Sequence, residues 1–236
     1  MHTVWSDGSA TVKEMAQTAL DRGYAYIGIT DHSKGLKIAG GIDEKAVEQQ
    51  CGEIDRLNQT FSSKQFTILK SIGLNLNPRG EGDMDETVFS KLDLVVGSFH
   101  SALRTTTDQT ERYLAAIENP HVHILGHPRG RIYNYRIGLK ADWRRVFDRA
   151  AELDKAVEID SYPDRQDLDV KLLQLAKSAG CKIAIDTDAH HPEQLDFIDL
   201  GLAAARLTGI DSDKIVNFMD AEQLQNWVLA MERVVD

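Results

Sequence analysis

The sequence predicts an α/β fold of repeated βα units around a parallel sheet or barrel. Two observations carry that prediction. Short apolar runs rich in β-branched residues alternate with longer amphipathic segments, and no linker rich in Pro, Gly or Ser divides the 236 residues. A chain of this length that is 42% hydrophobic can bury one sizeable core, so residues 1–236 are expected to form a single domain.

In chain order, the amphipathic segment 11–22 reads as a helix and the run Ile27-Gly28-Ile29-Thr30 marks a strand over 26–30. A helix over 44–59 leads to a strand over 67–76, and Leu94-Val95-Val96-Gly97 marks a third over 94–98. Segment 107–118 is helical in pattern, and the short run around Ile124-Leu125 gives a strand over 123–126. A helix over 143–153, a strand over 156–159, a helix over 169–179 and a strand over 182–185 continue the alternation. Helices over 212–217 and 221–235 end the chain.

Bulk properties exclude several classes. The net charge of −10 argues against tight nonspecific binding of duplex nucleic acid, which needs Lys and Arg to neutralise phosphates. Cys51 and Cys181 lie far apart without C-x-x-C spacing, so neither a disulfide framework nor a thiolate zinc site is indicated, and a reducing cytoplasm fits. No basic n-region with a long apolar h-region opens the chain, and no stretch reaches the roughly 18 apolar residues of a membrane span. A soluble cytoplasmic protein is expected.

Histidine and aspartate recur beside each other in five segments: His2-Thr3-Val4-Trp5-Ser6-Asp7-Gly8, Thr30-Asp31-His32-Ser33, Ser98-Phe99-His100-Ser101, Gly126-His127-Pro128 and Thr187-Asp188-Ala189-His190. His32, His100, His127 and Asp188 each follow a predicted strand. In a parallel barrel the C-terminal strand ends face one mouth, so these residues are expected to converge there. Imidazole and carboxylate donors from several loops are what a cluster of divalent ions requires. Arg131, in His127-Pro128-Arg129-Gly130-Arg131, and Arg165, in Pro163-Asp164-Arg165, are candidates to clamp a phosphate through bidentate hydrogen bonds.

Some neighbours carry plainer readings. Asp31 is expected to orient a ligand without binding metal itself. His121 and His123 alternate with Val122 and read as structural or exposed, while His191 is expected to support His190. The acidic stretch 160–169 lacks the spacing of a calcium loop and reads as a loop entering a helix. Trp5, Trp143 and Trp227 read as core or rim residues.

With Gly73-Leu74-Asn75 added to these segments, the chain resembles the polymerase and histidinol phosphatase (PHP) family over nearly its whole length. The likeness is closest to the PHP domain at the C-terminus of bacterial family X DNA polymerases. The resemblance implies a distorted (β/α)7 TIM-like barrel with two or three divalent ions, zinc or manganese, at its mouth. It implies hydrolysis of a phosphate ester by a metal-activated hydroxide, with Asp188, His190, Arg131 and Arg165 as the catalytic candidates. By the family pattern His2 and Asp188 serve one ion, His100 and His127 a second, and Asp7, His32 and His190 a third. The implied substrate is a 3′ nucleotide terminus, such as a single-stranded DNA end, or a small phosphomonoester such as histidinol phosphate.

Two departures from the family pattern qualify that expectation. The family opens with His-x-His, and His2 matches the second histidine, so part of the first strand is expected to be lacking. Asn75 stands where the family has a glutamate bridging two metals, and a neutral amide cannot bridge two cations as a carboxylate does. The site around His2 and Asp188 is therefore expected to be weak or empty, unless Glu81, Asp83 or Asp85 replaces the lost carboxylate. A second reading follows: a catalytically impaired PHP module that binds metal or a protein partner.

Overall fold

Helix α1 (Val12–Asp21) begins where Thr11 accepts from the Glu14 amide and the Glu14 carboxylate accepts from the Thr11 amide, which satisfies two otherwise unpaired N–H groups. The computed structural model describes residues 1–232. Behind α1 come β1 (Tyr26–Ile29), α2 (Glu44–Phe61), β2 (Thr67–Asn75), β3 (Leu94–Ser98), α3 (Thr110–Glu118) and β4 (Ile124–Leu125). They are followed by α4 (Trp143–Glu152), β5 (Ala156–Asp160), α5 (Val170–Ala179), β6 (Lys182–Asp186), α6 (Ile198–Thr208) and α7 (Ala221–Glu232). Asp43, Asp142 and Asp169 cap α2, α4 and α5 by accepting from the amides of Ala46, Arg145 and Leu172.

The six strands form one parallel sheet in sequential order, β1 to β6. Every C-terminal strand end therefore lies along the same edge, which is what gathers the site. The sheet is a curled half-barrel, and of the seven units of the distorted (β/α)7 barrel that the resemblance implies it shows six strands among the described residues, with no ladder between β1 and β6. The chain start spans the gap at the mouth instead. Thr30 N donates to Met1 O at 2.9 Å, and His2 N donates to Ala189 O at 2.7 Å.

Both sheet faces are buried, which is why the strands read as apolar runs without polar alternation. Ile72, Leu74, Val95, Leu125, Val157 and Ile183 pack in the main core with Val146, Phe147 and Trp143 of α4 and Leu173 of α5. The opposite, inner face presents Leu69, Leu94, Val96, Ile124 and Ala184 to Leu224, Trp227, Val228 and Met231 of α7. Trp5 is half-buried, with its indole N–H donating to Glu53 at 2.8 Å. Cys51 and Cys181 are buried and free. No helix among the described residues is long and apolar enough to cross a membrane.

Three elements differ from expectation. Segment 212–217 is not an α-helix but two 3-10 turns, Ser212–Lys214 and Val216–Phe218. The backbone is drawn onto the edge of β6, where Asn217 imitates a neighbouring strand: its Oδ1 accepts from Ile185 N at 2.7 Å and its Nδ2 donates to Ile185 O at 2.9 Å. Helix α6 was not anticipated, because Gly201 and a surrounding run of small apolar residues blur its periodicity. Gly201 packs on Ser161 and Ile185 so closely that a Cβ would collide. Residues 233–235 of the expected last helix lie outside the described residues.

Candidate metal centre

The N-terminal segment is held at the mouth by one carboxylate. Asp31, fully buried after β1, accepts from Thr3 N and Thr3 Oγ1 at 2.7 Å each, from Ser6 Oγ at 2.5 Å and from Gln50 Nε2 at 2.6 Å. Because Thr3 and Ser6 lie between His2 and Asp7, Asp31 sets the position of both through the backbone. Its four hydrogen bonds go to Thr3, Ser6 and Gln50, and none goes to an imidazole.

Four side chains then converge: ligand atoms of His2, Asp7, His32 and His190 all lie within 4.8 Å of one another. Asp7 Oδ1 is 3.6 Å from His32 Nε2 and 3.4 Å from His190 Nε2. His2 is thus grouped with the residues the family pattern assigns to another ion, while its Nε2 also meets Asp188 Oδ1 at 2.9 Å. The ring of His32 stacks on His2 with centroids 4.1 Å apart and meets His100 edge-on at 5.2 Å, and His100 meets His127 at 5.1 Å. Five of the seven expected ligands, His2, His32, His100, His127 and Asp188, line a cavity of about 570 Å³ whose apolar walls include Leu69, Val96, Ile124 and Ala184, and Asp7 and His190 join them through the four-residue cluster.

The donor chemistry fits divalent cations. The Nδ1 atoms of His2, His32 and His127 are buried without a hydrogen-bond partner, an arrangement that is costly for an imidazole unless a cation takes up the lone pair. Burial, with the neighbouring His2 ring, pushes His32 down to about 3, and burial with Arg165 pushes His127 down to about 4. Burial also lowers His2, against the pull of Asp188. Neutral imidazoles at neutral pH are the form that ligates metal. Burial opposes the charge on Asp188, yet the His2 hydrogen bond and Arg165 hold its carboxyl well below the usual range. Two of these residues sit in the left-handed backbone region, His127 at φ 25° and Asp188 at φ 49°, a strain characteristic of side chains that must be aimed into a site.

Asn75 adjoins His100 at the edge of this cluster. Its Oδ1 lies 3.2 Å from His100 Nδ1, and its Nδ2 faces Asp83 Oδ2 at 3.4 Å. Asp83 is fixed by Ser33 Oγ and Gly35 N, each donating at 2.6 Å. Of the three acids weighed as substitutes for the missing carboxylate, Asp83 alone contacts Asn75. Glu81 pairs with Arg79 at 2.8 Å, and Asp85 N donates to Glu44 at 3.0 Å.

The two candidate arginines part company. Arg165 Nη2 stands 3.2 Å from Asp188 Oδ2, and its Nε is 3.7 Å from Asp160 Oδ2. The structure does not bring Arg131 to the cluster. Its guanidinium donates to the carbonyls of Arg165 and Gln166, so it braces the loop that carries Arg165. His191 is exposed and caps the short helix Pro192–Phe197, while His123 is buried and accepts from Val95 N at 3.0 Å.

Sequence reasoning missed three acids below the mouth. Glu158 accepts from His127 N, Asp160 faces Arg165, and Asp186 ends β6 beside Glu158. Burial, and then the neighbouring acids, raise Glu158 and Asp160 well above the usual range. The available signal was a charged residue inside the apolar run Ala156-Val157-Glu158-Ile159, where only a partnered or neutralised acid is tolerated.

Comparison with known proteins adds an independent line. No family model matches the chain. The DNA polymerase/3'-5' exonuclease PolX of Bacillus subtilis is 36% identical over 218 residues, which cover 92% of this chain and 38% of that protein; the chain thus spans well under half of that relative. A probable phosphatase of Caldanaerobacter subterraneus is 30% identical over 201 residues, covering 80% of this chain and 74% of that protein. Among solved structures, histidinol phosphate phosphatase from Lactococcus lactis, complexed with zinc, L-histidinol and phosphate, superposes with a TM-score of 0.62 at 19% identity, over 89% of this chain and 92% of that one. That last likeness is one of fold.

Proposed function

The chain belongs to the family of that bacterial probable phosphatase, a membership consistent with the PHP resemblance of its motifs, and from that premise we propose that it is a metal-dependent phosphoesterase. The observation that carries the reading is the convergence of His2, Asp7, His32, His100, His127, Asp188 and His190 at one mouth, with buried imidazole nitrogens that lack any partner in the protein. Divalent cations such as Zn2+ or Mn2+, two or three per chain, would neutralise phosphate oxygens there and make water nucleophilic near neutral pH.

The chain's own groups supply the remainder. His2, Asp7, His32 and His190 would hold one cation, and His100 with His127 would contribute to a second. Asp188 fixes His2 through its side chain and His190 through its carbonyl, which accepts from His190 Nδ1 at 2.7 Å. This contact keeps the proton on Nδ1 and turns Nε2 toward Asp7. Burial disfavours charge on His190, but the Asp7 hydrogen bond and Asp188 raise its pKa, so protonation of this ring would compete with cation binding as pH falls. Arg165, freed from Asp188 by an arriving phosphate, offers two parallel N–H donors. Arg131 acts at one remove by bracing the Arg165 loop.

The test is release of p-nitrophenol from p-nitrophenyl phosphate with added Mn2+ or Zn2+, alongside elemental analysis of the purified protein. Turnover that chelation abolishes supports the reading. Neither metal nor turnover in the intact chain removes it.

Asn75 favours a second reading, a module with impaired catalysis that binds metal or a protein partner. It predicts bound metal with negligible turnover, restored by Asn75→Glu. The substrate consistent with both relatives is a phosphate ester, either a 3′ nucleotide terminus or a small phosphomonoester.

A further inference from the structure

Beside the metal centre lies a feature that phosphoester hydrolysis alone does not require. The connection from β4 to α4 folds into a small hairpin closed by an antiparallel bridge between Ile132 and Arg136. It is seated on the Arg165 loop, where Tyr133 N donates to Asp164 O at 2.7 Å. Its tip lifts aromatic surface into solvent: Tyr135 is 63% exposed and Tyr133 48%. The Tyr133 ring lies under the Arg131 guanidinium at 4.6 Å, which leaves Tyr135 as the more open of the two.

Two arginines flank Tyr135. Arg104, from the loop after His100, lies over the Tyr135 ring at 4.4 Å and its Nη1 approaches Tyr135 O at 3.4 Å. Arg136, next in sequence, donates through Nε to Gly130 O. Among the described residues neither guanidinium has a carboxylate within ion-pair distance, whereas Arg129, Arg144, Arg145, Arg149 and Arg165 all do. In a chain with 37 acidic against 27 basic residues, two adjacent unpaired guanidiniums at a mouth are set for an anion from outside. They are close to the cluster: Arg136 Nε donates to Gly130 O, and Gly130 N donates to His127 O at 2.8 Å.

We propose that Tyr135, Arg104 and Arg136 form a nucleotide subsite, which stacks a base on the Tyr135 ring and holds the adjoining phosphodiester of a single-stranded nucleic acid whose terminal ester enters the metal centre. The chemistry matches on three counts. A tyrosine face backed by a guanidinium is a platform for any base, two unpaired arginines suit the backbone, and Arg165 continues the cationic track to Asp188. A small aliphatic phosphate would use the metal centre and never touch the hairpin. The placement also reconciles the acidic chain with a polyanion, because the charge is local. This inference rests on the phosphoesterase reading for the fate of the terminal ester, while binding at the subsite is measurable without turnover.

The experiment measures fluorescence anisotropy of labelled dT and rU hexamers with the full chain, in parallel with phosphate release from glycerol phosphate in Mn2+. For the tighter hexamer, Tyr135→Ala is expected to raise Kd about tenfold, within the range for loss of one stacked base, and Tyr135→Phe to preserve it. Arg104→Ala is expected to weaken binding and to flatten the slope of log K against log salt by about 0.7, one released counterion on a single strand. Glycerol phosphate hydrolysis stays at the parent rate in all three variants. The proposal is overturned by hexamer binding that Tyr135→Ala leaves intact, by equal loss of hexamer binding and glycerol phosphate turnover, or by absence of hexamer binding in the parent chain. Failure of the phosphoesterase reading is separately visible as a parent chain that binds the hexamer but releases neither a nucleotide from it nor phosphate from glycerol phosphate.

Discussion

Asn75 Oδ1 faces His100 Nδ1 at 3.2 Å, at the position where the family motif carries a bridging glutamate. The amide has one sensible orientation, because its other end meets the Asp83 carboxylate at 3.4 Å and only the NH2 group can face an acceptor. His100 therefore carries its proton on Nδ1, with the Nε2 lone pair free to ligate. What a carboxylate does by charge in the family, this pair does in part by fixing a tautomer.

Asp83→Ala releases that amide. If His100 ligates as proposed, loss of the group that orients it is expected to lower zinc affinity by about 10- to 100-fold. Competition with a chromophoric chelator reads it. Unchanged affinity would show that Asn75 needs no support from Asp83.

Asn75→Glu restores a carboxylate among His100 and its neighbours and is expected to raise bound metal per chain, read by elemental analysis. If turnover of p-nitrophenyl phosphate rises together with metal content, the parent chain is impaired at this position. Equal turnover before and after the change discards the impaired-module reading.

Asp31→Ala removes the acceptor for four hydrogen bonds, two of them to Thr3. Leaving several buried donors without a partner should cost about 3 kcal/mol or more. The urea midpoint should fall, and metal content with it, because His2 and Asp7 lose their common anchor. A variant with parent stability but no metal would mean that Asp31 acts on the ligands alone.

Removing the metal has its own signature. Chelation of the purified protein is expected to lower Tm, since a ligand that binds only the folded state stabilises it. His190→Ala should shrink the difference between loaded and chelated samples, as should His100→Ala. A full-sized difference in either variant would strike that residue from the ligand set.

The pH dependence of stability has a component outside the site. Burial, then Lys155, push His123 from 6.5 down to about 3. Between those values the unfolded chain takes up a proton that the folded chain refuses, so the stability His123 contributes above pH 6.5 is lost as pH falls. From about pH 7.5 to about pH 5 this amounts to roughly 2 kcal/mol by linkage. His123→Gln keeps an acceptor for Val95 N but does not titrate, and its stability should fall by that much less over the same interval. The buried acids work in the opposite direction. Glu158 is raised, so it disfavours the folded state above its ordinary range and that penalty fades on acidification. Comparing variant with parent cancels this shared background.

The sequence alone determined the α/β alternation, because burial of a parallel sheet on both faces writes each strand as an apolar run, and it determined that His32, His100, His127 and Asp188 would meet, because parallel strands share one C-terminal edge. Asn75 and His2 were equally legible, since each stands at a set place in a run of motifs. Other features depended on contacts between segments far apart in the chain. Local periodicity could not show that the sheet stops at six strands, that Gly201 lies inside a helix, or that Asn217 caps the edge of β6. Nor could it show that Arg131 spends its guanidinium on the Arg165 loop while Arg104 and Arg136 stand unpaired around Tyr135. Spacing along a strand or helix tells which way a residue points. Only the folded chain decides whether a charge already has a partner, because that partner sits on another loop.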